Sequence, residues 1–324
     1  MNRAIGVLFV AFVLAAMAYS ATGRSVPSMS PTQTLIGHLQ MLDVAENAAG
    51  RLVAVGERGA IFVSDDRGAS WRAAATPSTA TLTAVRFIDG ERVLAVGHDA
   101  VILRSVDGGE RWQQMHAEPE AEAPLLGLWV DAAGQGFAVG AYGRFLATAD
   151  GGLNWEARVL DANPEALHLN AVLGLGEGRF LIAGEAGTLL RSGDGGQTWQ
   201  ALASPYAGSF FDALALPGGG ALVFGMRGHL FRSEDGGQRW VEIDTGVQSS
   251  LFGGRVLADG RLVLVGQSGV VLVSADQGRS FVRLDDPDRR VRAAVAEIGG
   301  GEILLVGEEG VERMALPMLS GERS

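Results

Sequence analysis

Apolar residues in this chain fall in short runs, each closed by glycine or a polar turn. Between Leu82 and Trp112 the runs are LTAVRFI (Leu82 to Ile88), VLAVG and VILRS. Their length and their glycine-marked ends read as strands. A Gly-x-x-Gly hairpin or a close relative joins the second run to the third, and a fourth strand is expected from Trp112. Helical periodicity is scarce beyond the first twenty residues. The same pattern returns along the chain: LVAVGERGAIFVSDDRGASW from Leu52, then related segments from Val93, Phe137, Leu181, Leu222 and Val263, and a seventh, LLVGEEGVERMAL, from Leu304. Marker glycines Gly56, Gly97, Gly140, Gly184, Gly225, Gly266 and Gly307 lie 41, 43, 44, 41, 41 and 41 residues apart. Seven units of that length predict an all-β fold, a seven-bladed β-propeller with four strands per blade.

Six of the units carry Ser/Thr-x-Asp-x-Gly-x-x-Trp/Phe, the Asp-box, on the hairpin between the third and fourth strands. Its aspartates are Asp66, Asp107, Asp150, Asp194, Asp235 and Asp276; its aromatics are Trp71, Trp112, Trp155, Trp199, Trp240 and Phe281. The carboxylate suits the N–H groups of its own turn, and the glycine admits a backbone that Cβ would forbid. The ring, folded back on the blade, contributes about 3 kcal/mol. A residue repeated around a ring is a structural device; a catalytic residue occurs once. The seventh unit lacks the box and the Trp. Its missing outer strand is expected from the segment Thr32 to Ile36, which would tie the two ends of the mature chain together and cover a sheet edge.

Arg3 precedes an apolar run ending near Ala16-Met17-Ala18 and Ala18-Tyr19-Ser20. Residues 1–21 therefore read as a signal peptide or an uncleaved anchor, 22–31 as a linker, 32–317 as the propeller and 318–324 as a tail. The chain is expected to be exported and periplasmic. With no Cys in 324 residues, a lipoprotein anchor is not expected, and the exported domain holds together without disulfides. The net charge of −11 argues against nucleic acid as a partner. All 26 basic residues are Arg. Compositional bias accounts for most of them, and the planar guanidinium suits carboxylate recognition at a few.

Sequence signs of catalysis are sparse. A sialidase needs an arginine triad and a Tyr nucleophile, yet beyond the leader only Tyr142 and Tyr206 remain, without the Arg-Ile-Pro motif. His38, His98, His116, His168 and His229 are scattered and have no metal-ligand spacing. GLGEGR (Gly174 to Arg179) lies between two expected strands and reads as a hairpin, so no cofactor is expected. The variable positions are those within the Gly-x-x-Gly turns, which ring one mouth of the propeller. Arg58, His98, Tyr142 and Arg227 stand there as candidate partner contacts or as unconstrained solvent-facing residues. Arg86 and Arg255 lie eleven residues before a marker glycine, where other units carry Ala45, Trp129, Leu173, Leu214 and Ala296. Each is either an internal ion pair or a channel-lining group that receives acidic groups of a partner. Arg104, Arg191 and Arg232, each just before a box Ser, are expected to brace neighbouring blades.

The VGxxGxIxxSxDGGxxW form of the unit, from about Gly37 to Leu316, resembles the photosystem II stability/assembly factor family of exported seven-bladed propellers. The resemblance implies a non-enzymatic scaffold that binds a newly made subunit of a membrane-protein complex, with an arginine-rich surface involved. In a non-photosynthetic host the partner would differ, an envelope transporter being one possibility. A carbohydrate-active Asp-box propeller is the alternative, to be recognised by a carboxylate pair converging in a deep pocket.

Overall fold

The computed structural model describes residues 36–284 and 288–317. The signal peptide, the linker, residues 32–35 of the closing segment and the tail 318–324 lie outside the described residues. Within them no helix is long and apolar enough to cross a membrane.

The repeat unit folds as an antiparallel meander. In the first blade Met41–Glu46, Leu52–Gly56, Ile61–Ser64 and Arg72–Ala73 pair in chain order. Six blades have four strands. Among the described residues the seventh has three, Arg292–Gly299, Glu302–Gly307 and Gly310–Ala315. Second strands such as Leu52–Gly56 are buried at every position, because neighbouring blades cover both faces. Leu52 and Ala54 pack toward the seventh blade, with Leu304 and Val306. Val53 and Val55 pack toward the second, with Val93 and Ala95. A strand covered on both sides reads as an unbroken apolar run, which is why VLAVG shows no alternation.

Outer strands are only two to four residues long, and in the second blade the outer strand is Gln113–His116, one residue after the expected start. Trp112 instead turns its ring inward, 6% exposed, and donates from Nε1 to Gly109 O at 2.8 Å. In the box itself, Ser64 Oγ donates to Asp66 Oδ1 at 2.8 Å while accepting from Gly68 N at 2.8 Å, and Asp66 Oδ1 accepts from Ser70 N at 2.8 Å. The Ser/Thr to Asp bond recurs in all six boxes at 2.7–2.9 Å. Hydrogen bonds to the carboxylate, led by the Thr198 hydroxyl in one box and the Asn154 amide in another, hold Asp194 and Asp150 down to about 2.

The marker glycines are required by a close approach of two backbones. Gly56 is extended, with φ −169°, so no left-handed conformation demands it. A Cβ there would sit 2.2 Å from Gln40 O, and at the other six markers the corresponding carbonyl lies 2.1–2.4 Å away. The second strand passes that close to the residue preceding its own inner strand. The left-handed residues are those inside the turns, among them Arg58, Tyr142 and Arg227, with φ of 55–57°.

At the ring junction Ile36 is 4% exposed and packs with Ala294, Ala296 and Ile298 of the last blade and with Met41 of the first. Ile36 O lies 2.2 Å from the position of a Cβ on Gly310; Ser78 O meets Gly59, and Tyr206 O meets Gly187, in the same way at 2.1 and 2.0 Å. Ile36 thus stands where the linkers that follow outer strands stand in other blades.

One core position changes character in the last blade. Inner strands of the other blades begin with Met41, Leu82, Leu125, Leu169, Phe210 and Leu251, all fully buried. The seventh begins with Arg292, 1% exposed, whose guanidinium pairs with the Glu312 carboxylate. Two residues after the second turn glycine, where Glu312 stands, other blades carry apolar residues such as Ile61 and Leu189. Glu312→Ile alone should destabilise by about 2–4 kcal/mol, because a buried guanidinium loses its carboxylate. Arg292→Leu/Glu312→Ile, which restores the apolar pair of the other blades, should recover most of that loss. Urea unfolding of the singles and the double checks this; an additive double variant would show that the pair is not coupled.

Candidate functional site: the central channel

Each inner strand is interrupted by a β-bulge near its start, between Met41 and Asp43 in the first blade and at the matching place in the other six. The extra residue turns its side chain out of the ladder. These residues are Leu42, Thr83, Leu126, Asn170, Phe211, Phe252 and Ala293, and all seven line a central cavity of about 270 Å³. Thr83 and Asn170 reach sideways, donating to Leu125 O and Phe210 O of the next blade, each at 2.6 Å. The others form an apolar collar, in which the Phe211 and Phe252 rings lie 5.6 Å apart.

Below the collar the lining is charged: Asp43, Arg86, Asp212 and Arg255. Asp43 accepts from Val44 N at 2.8 Å and from Val85 N of the next blade at 2.9 Å, and it pairs with Arg86. Arg86 also donates to Val85 O at 2.6 Å. Its side chain is 43% exposed, against 12% for Asp43, since channel water reaches it although protein surrounds it. Burial works against its charge, but Asp43 and then Asp212 outweigh that and hold its pKa above the ordinary value. Asp212 stands in the fifth blade as Asp43 does in the first, with Ala213 N donating to Oδ1 at 2.8 Å. Burial pushes it up to about 7, against the pull of the Ala213 N–H and of Arg86, with Asp43 adding to the rise.

The two channel arginines therefore differ. Arg86 is an internal ion pair, the first of the two alternatives its position raised. Arg255 forms no ion pair within 4 Å among the described residues; it interacts over longer range with Glu46, whose pKa burial raises. Arg58, His98, Tyr142 and Arg227 do not line the cavity. They are exposed on the turns at the collared end of the ring, and Tyr142 stacks edge-on with His168 at 5.0 Å. Arg104 and Arg232 donate to Gly151 O and Gln277 O of following blades, each at 2.9 Å.

Asp43 and Asp212 were missed from the sequence, although a signal existed. Both lie thirteen residues before a marker glycine, where the other five units carry Ala or Gly, and each precedes a channel arginine by 43 residues. Only the first Asp–Arg pair closes.

A group whose pKa rises on folding stabilises below its unfolded value and loses that contribution as pH rises through the folded one. For Asp212 the loss falls between about pH 4 and about pH 7. Relative to Asp212→Asn, the wild-type chain should lose about 1–2 kcal/mol over that interval, well under the full conversion because water enters the channel. A stability difference that stays constant from pH 4 to 8 would refute the assignment.

Residues 107–244 match the family model described as photosynthesis system II assembly factor YCF48. A curated relative, the photosystem II assembly lipoprotein Ycf48 of Synechococcus sp. (strain CC9902), is 28% identical over 144 residues, which is 44% of this chain and 43% of the relative. The match thus spans less than half the length of that relative. A solved structure of YCF48 bound to D1 peptide superposes with a TM-score of 0.69 at 18% identity, covering 87% of this chain and 94% of that one. The GH74 xyloglucanase of Xanthomonas campestris superposes at 0.67 with 15% identity, covering 85% of this chain and 52% of the enzyme. At these identities the structures establish the propeller fold alone. The fold is thus a seven-bladed Asp-box propeller, and residues 107–244 of this chain are similar to the photosystem II assembly factor family.

Proposed function

We propose that the chain is a non-enzymatic, exported interaction scaffold, chaperone-like for a membrane-protein complex. The observation that carries this reading is the match of its central blades to the photosystem II assembly factor family. The YCF48 structure with a D1 peptide makes a subunit of such a complex the natural class of partner. The lipoprotein name of the Synechococcus relative favours the membrane-facing, periplasmic side of the envelope. For a glycosidase, a carboxylate pair has to be free to act on a sugar. Here Asp43 is occupied by Arg86 and the Val85 N–H, and the channel cavity of about 270 Å³ is at the small end of ligand sites.

The rim of the collared end is the proposed contact surface. Arg58 and Arg227 are exposed there and form no ion pair within 4 Å among the described residues. Arg58→Glu/Arg227→Glu should leave the melting transition unchanged, since such surface changes cost within about 0.5 kcal/mol. It should weaken capture of membrane complexes from envelope extracts, more at low salt than at high. Equal recovery by variant and wild type at both salt levels would remove this face. Glycoside hydrolysis by the purified chain would overturn the scaffold reading itself.

A further inference from the structure

The channel carries more chemistry than the fold requires. Four apolar collar residues, Leu42, Leu126, Phe211 and Phe252, are only half-buried and face the cavity. Directly below them two carboxylates, Asp43 and Asp212, meet one guanidinium, Arg86. Arg255, the fourth charged group of the lining, shares the register of Arg86 but forms no ion pair within 4 Å among the described residues. Its longer-range interaction is with Glu46, at the end of the first inner strand away from the collar. The collared end therefore has one carboxylate in excess. An incoming carboxylate would have to displace Asp43 from Arg86 and would meet Asp212, so the arginine pair does not make this end an anion site. A cation meets no such opposition. A cavity of about 270 Å³ has the volume of one or two side chains, at the small end of ligand sites. The exposed rim around it suits a macromolecule, and a chain of net charge −11 attracts basic partners.

We propose that the collared end of the channel receives one lysine or arginine side chain of a partner protein, its aliphatic stem against Leu42, Leu126, Phe211 and Phe252 and its cationic head on Asp212. This deepens the scaffold reading and rests on it. Long basic side chains divide in this way, burying the methylenes and directing the head to a carboxylate. Asp212 already accepts a backbone hydrogen bond from Ala213 at 2.8 Å, and the proposed contact does not require that bond or the bulge to rearrange.

Calorimetric titration of the full chain with three blocked pentapeptides, Ser-Leu-X-Leu-Ser with X as arginine, citrulline or glutamate, tests the proposal. Citrulline keeps the shape of arginine without its charge. The arginine peptide should bind about tenfold more tightly than either of the others, the effect of one charge-assisted contact. Binding at pH 6 should release protons as Asp212 ionises, with Asp43, Arg86 and Arg255 the other charged groups facing it. Asp212→Asn, which keeps the shape and the acceptor oxygen, should abolish both the preference and the proton release while the chain still melts cooperatively. Phe211→Ala and Phe252→Ala should weaken the arginine and citrulline peptides alike. Equal binding of arginine and citrulline peptides, no saturable binding of the arginine peptide, or an undiminished preference in Asp212→Asn would overturn the proposal. Partner capture that is equal in wild type and Asp212→Asn would also overturn it and leave the scaffold reading standing. Failure of the wild-type chain to capture any membrane complex would instead sink the scaffold reading.

Discussion

Seven times around the ring, the second strand of a blade comes so near the start of its own inner strand that a methyl group would strike a carbonyl oxygen. This contact sets the marker glycine. It also accompanies the bulge, because the inner strand gains a residue where the two backbones draw together. The bulge in turn decides which side chain faces the axis. The channel lining is thus a consequence of a backbone constraint, repeated with little variation, and each blade is left one position at the collar to fill as it will. Leucine, phenylalanine, alanine, threonine and asparagine all occupy it, since the backbone alone determines the geometry.

Two of those fillings tie blades together without filling the axis. Thr83 and Asn170 spend their polar atoms on the carbonyls of the next inner strand, and Asp43 does the same with a backbone N–H. Such bonds are worth about 1 kcal/mol each when satisfied and cost more when broken. They act at the inner strands, which border the channel and so have no neighbour on the axial side. Further out, the fully buried second strands carry the cohesion. The residues of one strand alternate between two neighbours, so each blade belongs to two cores.

Repetition made part of this readable before any coordinates. The blade number, the strand order and the place of the Asp-box follow from six or seven copies of one pattern, each copy correcting the others. What repetition hides is the exception. Asp43, Asp212 and Arg292 stand at positions where the remaining units agree on a small or apolar residue. A consensus reading averages them away, whereas an alignment scanned for departures would have found all three. Arg86 and Arg255 were found in that way, but their fates could not be separated from sequence. Both follow an aspartate by 43 residues, and only the three-dimensional structure shows that one closes the ion pair while the other forms none within 4 Å among the described residues. The glycine markers are located by their spacing, but their cause is not legible there. Sequence shows where a side chain is forbidden but does not distinguish a left-handed turn from a close approach.

The same division between rule and exception separates fold from function. The aspartate that recurs in every box lies at or near the surface, is hydrogen-bonded to its own turn and has its pKa lowered by those bonds. Asp212 is the opposite case: one carboxylate of its kind per ring apart from Asp43, pressed into the axis and short of a counter-ion, so that its charge costs the fold stability at neutral pH. A chain that keeps such a group loses stability unless something else compensates. Asp43 shows how the compensation works inside the molecule, where a guanidinium from the next blade closes the pair. At Asp212 the matching arginine closes no such pair. The unmatched charge lies just beneath an apolar collar at the open end of the ring, within reach of a second molecule, and binding such a molecule there restores the balance that the fifth and sixth blades leave incomplete.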